Sequence, residues 1–138
     1  MNWTAFVPLR TGDERKTRLA ELLSKAERGK LADTLADHVL NCLERTPQVS
    51  RIIVISPASY SRPSVEWRRD EGAGLNAELT RACASELGPR LVIHGDLPLL
   101  TPQDVTAFIE AAESTGIALA PDRHDEGTNA VATGTAFA

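Results

Sequence analysis

Arg51-Ile52-Ile53-Val54-Ile55-Ser56 is the stretch that decides the fold. Its four central residues are all apolar and β-branched, with no polar residue alternating among them. A strand of that kind is buried on both faces, as strands of parallel sheets are. Working outward, similar short apolar runs recur upstream at Ala5-Phe6-Val7-Pro8-Leu9 and downstream at Leu91-Val92-Ile93-His94 and Ile117-Ala118-Leu119-Ala120. Helical patterns separate them. Ser24-Lys25-Ala26-Glu27 reads as a capping box opening a helix whose stripe, Leu31, Leu35, Val39 and Leu43, ends before Pro47. A second helix is expected over Asn76–Leu87. A third starts with Thr101 as N-cap and Pro102 at its first position, runs towards Ser114 and is stopped by Gly116. Residues 57–74, with two prolines, two glycines and alternating charges, read as irregular chain. Strands alternating with helices, the strands uninterruptedly apolar, predict an α/β fold with a mostly parallel sheet.

Composition narrows the function classes. At 138 residues the chain is read as one domain, 1–138. No apolar run approaches the roughly 20 residues of a transmembrane helix. With 19 acidic against 15 basic side chains, net −4, bulk charge does not favour a nucleic-acid partner. Met1-Asn2-Trp3-Thr4 lacks the basic and apolar segments of a secretory leader. Cys42 and Cys83, widely spaced in helical patterns, read as reduced thiols. The expectation is a cytoplasmic protein with neither membrane nor nucleic acid as partner. The final apolar run, Ala130–Ala138, is expected to leave sheet edge uncovered and so to favour a homo-oligomer.

The topology says where chemistry belongs. Segments following parallel strands emerge at the carboxyl edge of the sheet, where open α/β proteins bind ligands. Here they are Arg10–Lys16, Ser56–Gly74, Gly95–Leu100 and Pro121–Asn129. Gly95-Asp96-Leu97-Pro98 places a carboxylate directly after a buried strand, where it can hold Mg²⁺ against phosphate oxygens or simply shape a turn. Pro121-Asp122-Arg123-His124-Asp125-Glu126-Gly127-Thr128-Asn129 combines metal-ligand types, an anion-binding Arg and a Gly-Thr turn able to hold phosphate; its bland counterpart is a solvated charged loop. Arg10, Arg15, Lys16 and Arg18 form a basic cluster that beside a bound metal becomes a phosphate clamp, and otherwise a solvated face.

Other patterns lead elsewhere. Gly72-Ala73-Gly74-Leu75-Asn76-Ala77 matches the dinucleotide fingerprint, yet Arg68-Arg69-Asp70-Glu71 stands where a buried strand is required. A glycine loop admitting a base or ribose to the backbone is the better reading. The Walker phosphate loop is absent, and Ser56 lacks the setting of a hydrolase elbow. His38 reads as packed on a helix face and His94 as the buried end of a strand. No histidine pair has metal-ligand spacing. Trp3 and Trp67 are too isolated to form a stacking platform.

Taken in order, Val7-Pro8-Leu9 through Lys16-Thr17-Arg18-Leu19, Gly72-Ala73-Gly74-Leu75-Asn76, Gly95-Asp96-Leu97-Pro98-Leu99-Leu100, and Ala120-Pro121-Asp122-Arg123-His124 through Gly127-Thr128-Asn129 resemble the 2-phospho-L-lactate or phosphoenolpyruvate guanylyltransferases (CofC/FbiD). The resemblance implies a three-layer α/β sandwich of the glycosyltransferase-A nucleotidyltransferase type. It also implies guanylyl transfer from GTP to a phosphorylated acid, within deazaflavin coenzyme biosynthesis. On it, Lys16, Arg18 and Asp96 form the catalytic set, and Asp96 with Asp122 hold Mg²⁺. Arg10 and Lys16 meet the nucleotide phosphates, Gly72, Gly74 and Asn76 seat guanine and ribose, and Arg123, Thr128 and Asn129 contact the acid. Such relatives ordinarily continue beyond the point matching Ala138, so the resemblance also implies a chain short of their C-terminal segment. Rival readings are another nucleotidyltransferase, such as a molybdopterin guanylyltransferase, and a non-catalytic nucleotide-binding protein.

Overall fold

A computed structural model describes residues 3–9, 24–57, 59–70, 88–95, 97, 99–121 and 128–133. The chain runs β1 (Trp3–Pro8), α1 (Lys25–Glu44), β2 (Val49–Ser56), β3 (Val65–Arg69), β4 (Arg90–Ile93), α2 (Pro102–Thr115), β5 (Ile117–Pro121) and β6 (Thr128–Thr133). The strands form one sheet in the order β3-β2-β1-β4-β6-β5. Strands β1 to β4 are mutually parallel, and β6 runs antiparallel to both its neighbours. The expected α/β class with a mostly parallel sheet therefore holds.

The centre of the sheet is buried as the sequence requires. Every residue of β1 is buried, and so are Ile52 to Ser56 of β2. On one face Trp3, Ala5, Val7, Ile52, Val54, Leu91 and Ile93 pack with Val39, Leu40 and Leu43 of α1 and Val105, Ile109 and Ala112 of α2. On the other face Phe6, Ile53 and Ile55 are also buried, with Val92 against them. Burial on both faces is what a three-layer arrangement demands; the helix expected over 76–87 lies outside the described residues.

Local signals place the helix ends. Ser24 Oγ accepts from the Glu27 N–H at 3.1 Å while Glu27 Oε1 accepts from the Ser24 N–H at 2.9 Å, the reciprocal box expected at this start. Thr101 and Asp104 repeat it at 3.1 and 3.0 Å, with Pro102 following the cap. Gly116 closes α2 at φ 91°, a left-handed conformation that glycine alone adopts without a Cβ clash. Thr101→Ala removes the acceptor at the α2 start and is expected to cost about 1 kcal/mol, read as a lower denaturation midpoint with unchanged slope.

Three sequence expectations need correction. The buried residues of α1 are Ala36, Val39, Leu40, Cys42 and Leu43, whereas Leu31 and Leu35 are half-buried. Steps of four residues advance about 40° beyond a full turn each time, so the Leu31–Leu43 stripe drifts off the contact face. Val65–Arg69, read as irregular, is strand β3, parallel to β2. It carries charge because it has a single paired neighbour among the described residues, and Glu66 forms an ion pair with Arg51 of β2 at 2.8 Å. Thr128 and Asn129, read as part of a turn, begin β6. From Ala130 to Thr133 that strand pairs on both sides, while Thr128 pairs with Pro121 and Asn129 falls at the irregularity between the two.

Candidate functional site

Order and direction together bring the candidate segments to one edge. Strand order reverses between β1 and β4, the switch point at which doubly wound sheets open a crevice beyond their carboxyl ends. Leu9, leading to Arg10, leaves β1 there, and His94-Gly95, leading to Asp96, leaves β4. Because β6 is antiparallel to both β4 and β5, β5 also ends at this edge, at Pro121, and β6 begins there, paired through Thr128 with Pro121. The β4 and β5 exits are separated by one strand, roughly 10 Å.

The β1 and β4 exits meet at Gly95. A Cβ built on Gly95 would lie 2.4 Å from Leu9 Cδ2, 3.5 Å from Val7 Cγ1 and 3.9 Å from the Ala36 Cα. A side chain here would have to displace the Leu9 methyl, so the backbone preceding Asp96 lies close beside Leu9 and α1. At the far end of the same segment, the Leu100 carbonyl accepts from His38 Nε2 at 2.8 Å and from Cys42 Sγ at 3.3 Å. Leu97 and Leu100 are partly buried against the core, and the Leu100 N–H donates to the Leu97 carbonyl at 3.3 Å. Burial pushes the Cys42 thiol above its ordinary pKa, so it stays protonated and a donor.

On the β2–β3 side, Ser56 ends β2 at this edge, its Oγ accepting from Trp67 Nε1 at 3.1 Å. The Asp70 N–H donates to the Ser56 carbonyl at 3.0 Å and keeps the chain leaving β3 beside β2. Behind β3, Arg62 donates to both carboxylate oxygens of Glu44 at 3.0 and 2.7 Å and to Asn41 Oδ1 at 2.8 Å, while Tyr60 donates to Asp37. The Arg62 guanidinium holds the Glu44 carboxyl below its usual range, and Ser64 adds a further hydrogen bond. This network ties the β2–β3 connection to α1.

Most expected site side chains lie outside this description. Arg10, Lys16, Arg18, Gly72, Gly74, Asn76, Asp96, Asp122 and Arg123 are outside the described residues, and of Thr128 and Asn129 only the backbone in β6 is described. The region from Gly72 follows an edge strand that is half-exposed, rather than irregular chain; the central buried strand that a dinucleotide fingerprint needs is still lacking. Among the described residues no group of three or more metal-ligand side chains gathers. The chemistry of Asp96 and Asp122 nonetheless suits Mg²⁺, a hard cation usually taking one or two carboxylates plus substrate oxygens. Both directly follow backbone, Gly95 and Pro121, that reaches the same edge. His38 and Cys42, four residues apart on α1, are the contribution sequence reading missed; their spacing signals a shared helix face but not the carbonyl they meet. Among the described residues no helix is long and apolar enough to cross a membrane.

Comparison with known proteins agrees with this geometry. Residues 3–134 match the family model described as "Guanylyl transferase CofC like". A phosphoenolpyruvate guanylyltransferase of Sphaerobacter thermophilus is 37% identical over 96% of this chain and 68% of its own length. One of Chloroflexus aggregans is 36% identical over 91% of this chain and 69% of its own. A 2-phospho-L-lactate guanylyltransferase of Natrialba magadii is 29% identical over 86% of this chain and 57% of its own. The chain thus spans about two thirds of the length of the first two relatives. Among solved structures, a candidate nucleotide-diphospho-sugar transferase of Desulfovibrio desulfuricans G20 superposes with TM-score 0.77 at 14% identity, over 96% of this chain and 63% of that one. The 2-C-methyl-D-erythritol 4-phosphate cytidylyltransferase of Thermus thermophilus does so at 0.60 and 18%, over 92% and 62%. These likenesses bear on the fold, which is that of nucleotidyltransferases. With the family model spanning nearly the whole sequence, the chain belongs to the CofC-like guanylyl transferase family.

Proposed function

We propose that the protein joins GMP from GTP to a small phosphorylated acid, phosphoenolpyruvate or 2-phospho-L-lactate, and releases pyrophosphate, as a step in deazaflavin coenzyme biosynthesis. The observation that carries this reading is the convergence of the β1, β4 and β5 exits on one sheet edge, with Gly95 pressed against Leu9 at the switch point. Family membership supplies the reaction type.

In the proposed reaction an oxygen of the acid's phosphate attacks the α-phosphorus of GTP. The bond from that phosphorus to the bridging oxygen breaks, and its electron pair leaves with pyrophosphate. The attacking phosphate is already anionic, so positioning and charge neutralisation dominate and no strong base is required. Arg10, Lys16 and Arg18 hold the triphosphate, Gly72 to Asn76 seat guanosine, and Arg123, Thr128 and Asn129 receive the acid. Asp96 and Asp122 hold Mg²⁺, which when bound neutralises charge on the phosphates.

The deciding experiment incubates the protein with each of GTP, ATP, CTP and UTP against each of phosphoenolpyruvate, 2-phospho-L-lactate and 3-phosphoglycerate, with product mass as the readout. A product of GMP joined to one acid is expected. Product from a different nucleotide, or none from any pair, overturns the reading. Lys16→Ala is expected to weaken GTP binding by roughly ten- to a hundredfold, the loss of one charge-assisted hydrogen bond. Its residual binding should respond less to ionic strength. Calorimetry at two salt concentrations checks both, and unchanged affinity returns Lys16 to a solvated surface role.

A further inference from the structure

We propose that β5 is a docking edge for a second copy of this chain, two β5 strands pairing antiparallel about a two-fold axis. The run from Ala130 does not provide that edge, since residues 130–133 pair with β4 on one side and β5 on the other. The outer strands are β3 and β5, each with a single paired neighbour among the described residues. They differ in kind. Strand β3 carries Glu66, Arg68 and Arg69, charges that guard an edge against a further strand. Strand β5 is Ile117-Ala118-Leu119-Ala120-Pro121, without a charge, and Ile117 and Leu119 are 46% and 63% exposed. Pro121 has no N–H to donate, but it stands at the strand's end, where it limits the pairing without preventing it.

Both flanks of this edge are apolar as well. By register Leu119 ends a row that crosses the sheet through Val131, Val92, Phe6 and Ile53. Phe6 and Ile53 are fully buried, Val131 and Val92 half-buried and Leu119 exposed, so the cover of this face thins towards β5. On the opposite face Ala118 and Ala120 join the core with Phe108 of α2. Trp3 bonds Glu113 and Thr106 bonds Gln48, which fixes the flank of α2 that looks towards β1. Phe108, Ala111 and Thr115 lie about half a turn round from that flank, and the Thr115 hydroxyl donates to the Ile117 carbonyl at 2.7 Å. Asp104, on their side, is held in the capping box with Thr101.

An uncharged edge suits its own copy. A two-fold contact sets each residue against itself or a near neighbour of the same sequence, so any charge there would meet its like. Strand β5 brings none, and a partner recognised by charge would find nothing on it to pair with. Because the β3 edge is charged, pairing closes at two copies and does not run on into a filament. The paired stretch is short, so monomer and dimer should exchange in roughly the micromolar range.

The test follows the full chain by sedimentation velocity over a wide concentration range, with circular dichroism confirming the fold of each variant. A monomer–dimer equilibrium is expected. Leu119→Lys and Ile117→Lys each place two like charges in the contact and should raise the dissociation constant by roughly a hundredfold or more. Leu99→Lys alters a leucine 88% exposed in the loop before α2 and should leave association at the parental level. Hydrogen exchange below and above the dissociation constant locates the contact. Amides of residues 117–120 should slow as concentration rises, and those of Val65–Arg69 should not. A parent chain that stays monomeric at the highest attainable concentration overturns the proposal. So does a dimer that persists in folded Leu119→Lys and Ile117→Lys, or one whose protection falls on β3.

Discussion

Asp96→Asn is expected to keep the parental fold and to lose Mg²⁺-dependent turnover by roughly a thousandfold or more, several kcal/mol of barrier. The substitution is nearly isosteric, so packing changes little, while the charge that would hold the cation disappears. The residue preceding it places the substitution in the fold. Gly95 lies against Leu9 where β1 and β4 leave the sheet side by side, so position 96 follows directly on the switch point. Steady-state rates over a range of Mg²⁺ concentrations, alongside a thermal melt, measure it. Near-parental turnover from a folded variant would remove Asp96 from the metal site.

The largest effect on stability is expected at the other end of β1. Trp3 is fully buried, packs in the cluster shared by β1, α1 and α2, and donates from Nε1 to Glu113 Oε2 of α2 at 3.4 Å. Trp3→Ala should cost about 3–5 kcal/mol, a large part of the 5–15 kcal/mol that typically holds a domain together. Trp3→Phe should recover much of it, since most of the loss is apolar volume and cavity. Denaturant titrations followed by circular dichroism give the comparison. A loss below about 1 kcal/mol would mean that the cluster closes over the gap.

What could be read from the sequence, and what could not, divides along the range of the interactions. Ile52–Ile55 and Leu91–Ile93 announce themselves because a strand buried on both faces must be apolar throughout. Ser24, Glu27, Thr101 and Pro102 mark helix starts because their bonds span three residues at most. Strand β3 hides because an edge strand with exposed positions tolerates Glu66, Arg68 and Arg69, which imitate a loop. Trp3 looked isolated in the sequence, for its partner Glu113 stands 110 residues away. The candidate site follows the same rule. Its segments are legible, since each follows a strand. The closeness of Gly95 to Leu9 and the grip of His38 and Cys42 on Leu100 arise from chain crossings between distant segments, which no local pattern records.

The reversed direction of β6 has its own consequence for how such a protein can diversify. Pro121 and Thr128 are paired, and Ala120 with Ala130 continues the ladder beneath them, so the stretch from 122 to 127 is spliced between two residues already held by the sheet. Its length and composition are uncoupled from the register of every strand. In general, doubling the length of a connection between two fixed ends costs only about 0.6 kcal/mol. A parallel connection would have needed a crossover back along the sheet, and each insertion would have had to be accommodated by a packed helix. With the two ends paired at this corner, the residues between them can be exchanged as a cassette, and the rest of the sheet edge need not be rebuilt.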